Sequence, residues 1–458
     1  MTDSETASDA PRLRTAIVLF TRDLRVHDNP ALELAVRSAE HVVPLFVLQD
    51  GLRFAVPNRA RFLHESLADL RQSLRQRGGD LVIRHGDPVA ETLRLAADVE
   101  ADGVVLARDV SAYARRRWQR LERECRERRI ALRAVDSVTV VPPGAVTPAG
   151  GDHFKVFTPY WRAWTDHRWR TGVKAPDQVR LPPAVHVGRL PGAVDGQTSA
   201  GLPDGGESAA RRRMDRWLST GLAAYADRHD DLPGDATSRL SADLHFGCLS
   251  PLELAVRAGK AGGEGGDAYV RQLCWRDFHA QVAAAFPDLP NRDYRPRRAG
   301  WREDPHALEA WKNGRTGFPI VDAGMRQLAA EGFMHNRARM LVASFLTKQL
   351  NIHWTAGARH FFDLLVDGDI ANNAGNWQWV AGTGNDTRPQ RVLNPVRQAE
   401  RFDPDGVYVR RWVPELAGVR GKAIFRPWLM EGFEALDYPE PIVDHDEAVA
   451  EFRARRES

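Results

Sequence analysis

Residues 367–379 concentrate side chains that can hold a polar ligand. This stretch contains two aspartates, three asparagines, one glutamine and two tryptophans. Carboxylates and amides fix a polar heterocycle by hydrogen bonds, and indole rings can stack on it. The stretch follows the apolar residues 361–366, and so polar a run is unusual for a buried core. A capped helix followed by a loop would have a similar composition, so this segment alone leaves both interpretations open.

Two other segments carry groups that suit phosphate or nucleic-acid bases. The hydroxyl groups of Thr237, Ser238 and Ser241 lie where a helix is predicted to begin, and the unpaired N–H groups of a helix start also favour phosphate. Serine and threonine are equally common as helix caps, so this signal is weak alone. Residues 334–340 bring together a histidine, an asparagine and two arginines, which would contact phosphate or bases or would cover a solvated helix face.

The spacing of the remaining reactive residues argues against hydrolysis and against metal chemistry. Cys125, Cys248 and Cys274 are far apart in the chain, so neither a disulfide framework nor a zinc site is predicted. We find no Ser/His/Asp order, no paired carboxylates at catalytic spacing and no His/Cys cluster, and we therefore expect no metal.

The composition is that of a globular protein with almost balanced charge. The 458 residues are 43% hydrophobic and 27% charged, and 64 basic residues face 61 acidic ones, for a net charge of +3. This balance gives no sign of indiscriminate nucleic-acid binding. Only six of the basic residues are lysines, and arginine can grip phosphate through two parallel hydrogen bonds. An arginine excess of this kind is also typical of GC-rich genomes.

The distribution of apolar residues bears on where the protein works. No stretch of about 18 apolar residues is present, so we expect no membrane span. Residues 1–12 are polar and acidic and lack the basic start and apolar core of a signal peptide. We predict that residues 1–12 are disordered and that the protein is cytoplasmic.

Hydrophobic periodicity divides the chain into an α/β part and a helical part. Over residues 13–141, five short apolar runs alternate with amphipathic segments, which is typical of a doubly wound five-stranded parallel sheet covered by helices. No G-x-G-x-x-G follows the first strand, so a standard dinucleotide site is not expected there. Residues 142–210 are predicted to form an inter-domain linker. Residues 211–458 are predicted to form a helical domain, because their apolar positions recur every three or four residues.

Eight segments in register resemble the photolyase/cryptochrome family along nearly the whole chain. The resemblance begins at residues 20–30 (FTRDLRVHDNP) and ends at residues 436–443 (LDYPEPIV). Between them lie, in order, residues 157–161, 237–241, 272–278, 317–323, 334–340 and 367–379. Within the family, the chain is most similar to the class I photolyases for cyclobutane pyrimidine dimers, of the actinobacterial type.

The resemblance implies a bent FAD held inside the helical domain. The residues that would contact this cofactor are Tyr225, Thr237, Ser238, Arg239, Leu240, Ser241, Tyr269, Arg339, Asp367, Gly368, Asp369 and Asn373. The hydroxyl groups of residues 237–241 suit its pyrophosphate. Arg339 would pair with Asp367 beside the flavin. Asn373 would face flavin N5, where an amide serves both the protonated and the deprotonated form because it carries a donor and an acceptor.

The family also passes electrons to photoexcited flavin through three tryptophans. The matching positions here are Trp377 nearest the flavin, Trp354 in the middle and Trp301 at the outside. Together with Asn373 they form the predicted catalytic set. The three tryptophans would reduce resting flavin and would take no part in the repair step itself.

The substrate that the resemblance implies is UV-damaged DNA, whose dimer is flipped out of the duplex into a pocket above the flavin. The residues that match substrate contacts are Gln272, Trp275, Arg276, Asn336, Arg337, Met340, Trp379 and Gln398. The cyclobutane branch usually has glutamate where this chain has Gln272, whereas the (6-4) branch has glutamine there. Asn336, Met340 and Trp379 favour cyclobutane repair. A (6-4) photolyase and a cryptochrome-like blue-light photoreceptor without repair activity are the alternatives.

The α/β domain of relatives holds a light-harvesting pigment. Residues 107–113 depart from the Asn-Glu pattern of folate-binding relatives, and the composition looks actinobacterial, a group of organisms that makes deazaflavin. We therefore expect 8-hydroxy-5-deazaflavin as the second chromophore, with methenyltetrahydrofolate as the alternative. DNA is the expected partner of a monomer that has no membrane contact and no obligate protein partner.

Overall fold

The N-terminal part of the chain is an α/β domain in which strands and helices alternate. A computed structural model describes residues 13–49, 56–297 and 300–457, and the predicted disordered segment 1–12 lies outside the described residues. The strands are β1 (Leu13–Leu19), β2 (Ala39–Leu48), β3 (Val82–His85), β4 (Gly103–Ala107) and β5 (Ala131–Val135). The helices between them are α1 (Pro30–Ser38), α2 (Pro57–Arg75), α3 (Pro88–Asp98) and α4 (Ala112–Glu127).

The five strands form one parallel sheet in the order β3-β2-β1-β4-β5. Alternate residues of the central strand β1 enter different hydrophobic clusters, with Ala16 and Val18 in one and Ile17 and Leu19 in the other. A strand buried on both faces needs apolar residues at successive positions, which explains the uninterrupted apolar runs in the sequence. The strand order reverses at β1, and such a switch point opens a crevice at the carboxyl ends of the strands. The predicted doubly wound five-stranded sheet is confirmed.

After β5, the regular secondary structure of the described chain is entirely helical, and the helices are separated by irregular segments, of which residues 167–206 are the longest. After α5 (Phe157–Asp166) come α6 (Glu207–Thr220), α7 (Tyr225–Arg228), α8 (Ser241–Phe246), α9 (Pro251–Ala261), α10 (Gly263–Ala285), α11 (Pro305–Lys312) and α12 (Pro319–Glu331). They are followed by α13 (Asn336–Ser344), α14 (Trp354–Leu364), α15 (Ile370–Ala381), α16 (Pro395–Phe402), α17 (Val407–Trp412) and α18 (His445–Glu457). The predicted helical C-terminal domain is confirmed. Within the described ranges, none of the helices is both long and apolar enough to span a lipid bilayer.

Two helix boundaries differ from those that the periodicity predicts. α6 begins at Glu207, inside the predicted linker, where this residue accepts two backbone N–H groups from the segment after β1. Apolar positions that recur every three or four residues over 336–350 predict one helix there, but the α-helical form ends at Ser344 and the chain continues as a π-helical turn, Phe345–Gln349. Lys348 in that turn is buried and donates to two backbone carbonyls beyond α15. In both places a tertiary contact accompanies the departure from the local pattern.

A buried carboxylate on α10 joins the two domains. Asp277 accepts the backbone N–H groups of Val140 and Val141 at 2.8 and 3.0 Å and the indole N–H of Trp164 at 3.0 Å. These donors belong to the segment after β5 and to α5, so one side chain ties both to the helical domain. Buried N–H groups need partners, and these contacts therefore hold the carboxyl edge of the sheet against the helices that carry the site.

Candidate functional site

Asp369 fixes the start of α15, the helix that carries most of the polar segment seen in the sequence. Its side chain accepts the backbone N–H of Asn372 at 2.8 Å and the side-chain amide of the same residue at 2.8 Å. Aspartate suits this position because its carboxylate satisfies an N–H group that has no partner inside the helix. The cap sets the register of α15 and thereby the positions of Asn373, Trp377 and Trp379.

Asp369 is also paired with a cation of the N-terminal domain. Arg22, which follows β1, donates to Asp369 and, at 3.1 Å, to Asp109, which follows β4. The Nδ1 atom of His245 on α8 lies 3.9 Å from Asp369. Burial by itself would raise the pKa of Asp369, but Arg22 and His245 outweigh burial and hold this pKa well below its usual range. The ionised carboxylate therefore links the sheet edge to the helical domain.

A second ion pair lies just before α15. Arg339 on α13 donates to Oδ2 of Asp367 at 2.9 Å, and its Nε donates to the carbonyl of Met334 at 2.7 Å. Gly368 separates the two aspartates, and a Cβ at that position would lie only 2.7 Å from Nη1 of Arg59. A side chain at position 368 would therefore displace the Arg59 guanidinium, which donates to the carbonyls of Phe362 and Leu365.

Residues 237–241 form a turn that leads into α8. Arg239 has a φ of 51°, in the left-handed region that non-glycine residues seldom adopt. Its guanidinium donates to Glu331 on α12 at 3.1 Å. Ser238 accepts the hydroxyl hydrogen of Tyr269 on α10 at 2.8 Å. Leu240 is buried whereas Ser241 is exposed. The turn is thus tied to two separate helices.

Several buried polar atoms in this turn and at Asp367 have no partner among the described residues. Thr237 Oγ1, Arg239 Nε and Asp367 Oδ1 are buried and have no hydrogen-bond partner in the part of the chain that the structure describes. Leaving such atoms unpaired costs free energy. Tyr225 and Tyr269 pack edge to face beside them, with ring centroids 5.2 Å apart. A hydroxyl, a guanidinium, a carboxylate and tyrosine rings together fit a cofactor that carries both phosphate and heteroaromatic rings.

The three predicted tryptophans are linked by neighbours that they share. Trp377 and Trp354 are buried, and Trp301 is partly exposed. Trp377 packs against the backbone of α14, because a Cβ at Gly357, one turn after Trp354, would lie 2.2 Å from its ring. The ring of His353 contacts both of the others, with its centroid 5.8 Å from that of Trp354 and 4.9 Å from that of Trp301. The structure therefore brings all three predicted tryptophans together.

Asn373 shares one face of α15 with Trp377, because residues four apart are neighbours on a helix surface. Its side-chain amide donates to the carbonyl of Ala358 on α14 at 3.0 Å. This bond fixes the orientation of the Asn373 side chain, which is partly exposed.

Two tryptophans, Trp275 on α10 and Trp379 on α15, lie at the partly exposed rim of the site. Trp275 stacks on Phe157, with ring centroids 3.7 Å apart and an interplanar angle of 3°. The guanidinium of Arg391 lies 5.5 Å from the centroid of the Trp379 ring. Both rings are held by a neighbour and keep surface on which a base can stack. Gln272 and Asn336 are exposed, and Met340 and Gln398 are partly exposed.

Two arginines that are predicted to contact the substrate also make contacts within the protein. Arg276 donates to the carbonyls of Val138 and Leu244 at 2.6 and 3.3 Å, and its side chain is only 14% exposed. Arg276 thus joins the two domains, and its contact with DNA stays a prediction. Arg337 is paired with Asp230, so its charge is already partly balanced.

Arg22 and His245 belong to the site, although neither is among the residues predicted from the sequence. Arg22 lies within residues 20–30, one of the segments that carry the family resemblance, and this was the only signal for it. His245 has no distinctive spacing on α8. The contact between Arg22 and Asp369 joins residues 347 positions apart, a separation that no local pattern reports.

Comparison with known proteins finds relatives along the whole chain. The family profile described as DNA photolyase matches residues 16–180, and the profile described as the FAD binding domain of DNA photolyase matches residues 269–458. A deoxyribodipyrimidine photo-lyase of Streptomyces griseus is 54% identical over 97% of this chain and 99% of its own. A class III photolyase from Agrobacterium tumefaciens superposes with a TM-score of 0.91 at 33% identity, over 98% of both chains. An archaeal photolyase from Sulfolobus tokodaii, described with two FAD molecules, superposes with a TM-score of 0.85 at 29% identity, over 97% of this chain and 99% of the other.

Substitution of Asp369 tests the electrostatic account of the site. Asp369→Asn removes one of the two carboxylates that pair with buried Arg22 and is expected to lower the free energy of unfolding at pH 7 by about 3 kcal/mol. The folded-state pKa of Asp369 lies below its unfolded value, so its contribution is present above about pH 4 and fades as the pH falls further. Denaturant unfolding of the wild type and of Asp369→Asn between pH 7 and pH 3 is the measurement. The difference between their free energies of unfolding should become smaller as the pH falls. A constant difference would contradict the account.

Proposed function

The chain belongs to the photolyase/cryptochrome family, and from that premise we propose that it is a deoxyribodipyrimidine photo-lyase that splits UV-induced cyclobutane pyrimidine dimers in DNA. The observation that carries this proposal is α15, which follows directly on Asp367 and its unpaired oxygen and carries Asn373, Trp377 and Trp379. The near full-length similarity to photo-lyases supports it.

FAD is the cofactor that the site residues fit, and the C-terminal domain matches an FAD-binding profile. When bound, FAD supplies light absorption and one-electron transfer. Thr237 and Ser238 present hydroxyls to its phosphates, and Tyr225 and Tyr269 line the adjoining wall. The Asp367 carboxylate, held by Arg339, keeps one oxygen free for a donor on the cofactor.

The rim residues receive the substrate. Trp275 and Trp379 present aromatic surface to a dimer that has been flipped out of the duplex, and stacking repays part of the cost of unstacking it. The exposed amides of Asn336 and Gln272 are available for the pyrimidine edges. Arginines in residues 388–411 and 291–302, including Arg391 beside Trp379, would contact phosphates in a salt-dependent manner.

Trp377, Trp354 and Trp301 serve a separate purpose. They would conduct electrons inward from the protein surface to a bound flavin. Burial of Trp354 and Trp377 keeps water away from the inner steps, while partial exposure of Trp301 gives access to solvent reductants. Asn373 accompanies Trp377 on the same face of α15 and, with its amide fixed by Ala358, is positioned for flavin N5.

Repair of defined lesions tests the proposed function against its alternatives. Pre-reduced protein under blue light is expected to restore thymines in an oligonucleotide that carries a cyclobutane dimer, and to leave it intact in the dark. A matched oligonucleotide with a (6-4) lesion should be unchanged. Chromatography of the digested strands gives the answer. Repair of the (6-4) lesion alone would support the alternative that Gln272 favours, and repair of neither lesion would support a photoreceptor.

The crevice at the carboxyl edge of the sheet is the place we propose for a light-harvesting pigment. The photolyase of Sulfolobus tokodaii is described as implying a light-harvesting cofactor, and strand order in this chain opens a crevice at the same edge as Arg22 and Asp109. Tyr113 donates to Gln49 near the same edge. From the departure at residues 107–113 we infer 8-hydroxy-5-deazaflavin, with methenyltetrahydrofolate as the alternative.

Pigment released from the protein identifies the second chromophore. Protein purified from a host that makes deazaflavin is expected to release 8-hydroxy-5-deazaflavin together with FAD, as judged by chromatography and mass spectrometry. Recovery of a folate instead, from a host that makes both pigments, would contradict the inference.

A further inference from the structure

Arg271 is an exposed arginine on α10, one helical turn before the rim residue Trp275. Residues four apart are neighbours on a helix, so both side chains leave α10 on the same face. Asp267, another four residues earlier, has the spacing that favours an ion pair with Arg271. No such pair forms, and the Arg271 side chain has neither an ion pair nor a hydrogen bond with any residue in the described ranges. The guanidinium is therefore available to an anion from outside the protein.

Two aromatic rings of α5 hold this guanidinium in place. Its Cζ atom lies 5.4 Å from the ring centroid of Phe157 and 5.9 Å from that of Trp161. A cation is attracted to the face of an aromatic ring, and this contact leaves the N–H groups of the guanidinium able to donate to a ligand. An arginine that is already ordered also loses less rotamer freedom when it binds. The two rings therefore orient Arg271 in advance.

Phe157 connects Arg271 to the wall on which a base can stack. The ring of Phe157 contacts the guanidinium of Arg271 and also stacks on Trp275. Gln272, the next residue after Arg271, is exposed beside them. Arg276 differs from Arg271, because its guanidinium donates to two backbone carbonyls within the protein. Aromatic rings next to a cation are the combination with which proteins bind single-stranded nucleic acid, through the bases and the backbone together.

We propose that Arg271 binds a backbone phosphate of the damaged strand, next to the dimer that has been flipped out. The proposal rests on the proposed function, because the dimer is the group that stacks on Trp275. A guanidinium binds phosphate through two parallel hydrogen bonds, and such a contact fixes the position of the strand without reading its sequence. Four residues of α-helix span about 6 Å, and the phosphates of one strand follow one another at about 3.4 Å, so the bound phosphate lies within about two nucleotides of the dimer.

The salt dependence of DNA binding tests this contact. The holoenzyme is titrated with a duplex that carries one cyclobutane dimer. Arg271→Gln should bind this duplex roughly tenfold more weakly than the wild type, and the slope of log K against log salt concentration should become shallower by about one. Arg126→Gln is the matched control, because Arg126 is an exposed arginine at the end of α4, which leads into β5 at the edge of the sheet opposite Arg22. The control should keep the affinity and the slope of the wild type.

A neutral methylphosphonate in place of one phosphate locates the contact along the strand. The wild type should bind less tightly when the neutral linkage stands within about two nucleotides of the dimer. The same replacement should cost Arg271→Gln no further affinity, because this variant has already lost the contact. Trp161→Leu should bind more weakly but keep the wild-type salt slope, because the charge of Arg271 remains while its orientation is lost.

Failure of the proposed contact and failure of the proposed function give different results. A wild-type salt slope in Arg271→Gln, or losses that add at every position of the neutral linkage, would overturn the contact. The FAD content of all the variants should equal that of the wild type, which shows that lost affinity does not come from misfolding. A wild type that binds dimer-bearing and undamaged duplexes equally would contradict the proposed function. A shallower slope in Arg271→Gln would then still support phosphate binding by Arg271.

Discussion

The buried ion pair between Arg22 and Asp369 is the contact on which the arrangement of the site depends. Removing two charges from water is costly, and the cost is repaid only when both charges are fully hydrogen-bonded. Asp369 meets this condition because it pairs with Arg22 and also caps α15 through Asn372. Arg22 meets the same condition because it also donates a hydrogen bond to Asp109. A single carboxylate thus connects the edge of the sheet, where a pigment would lie, to the first turn of the helix that carries the site.

The Asp369 cap fixes where α15 begins, and helical geometry then determines the direction in which each side chain of α15 faces. Asn373 and Trp377 are four residues apart and share a face, whereas Trp379 lies about 200° around the axis from Trp377. The structure agrees, since Trp377 is buried against α14 and Trp379 is partly exposed at the rim. Side chains of one helix can therefore contact the cofactor, the electron path and the substrate because they face different directions.

The sequence predicts what depends on local pattern. The strands of the sheet are evident because residues buried on both faces must be apolar. The site segments are weak signals one by one and become informative only through the family resemblance that they carry together. Contacts between distant residues are not evident. Nothing near Arg22 in the sequence points to Asp369, and nothing around Arg271 points to Phe157. Arg276 shows the same limit. Its guanidinium donates to the carbonyls of Val138 and Leu244, which lie near it only in the folded chain.

Repair depends on contact between the bound cofactor and a flipped dimer. The fluorescence lifetime of reduced flavin in the purified protein tests that claim most directly, because electron transfer to a substrate in the pocket competes with emission. The account predicts that an oligonucleotide with a cyclobutane dimer shortens this lifetime, whereas the undamaged oligonucleotide leaves it unchanged. A lifetime that does not change when the dimer-bearing strand is demonstrably bound would contradict the account.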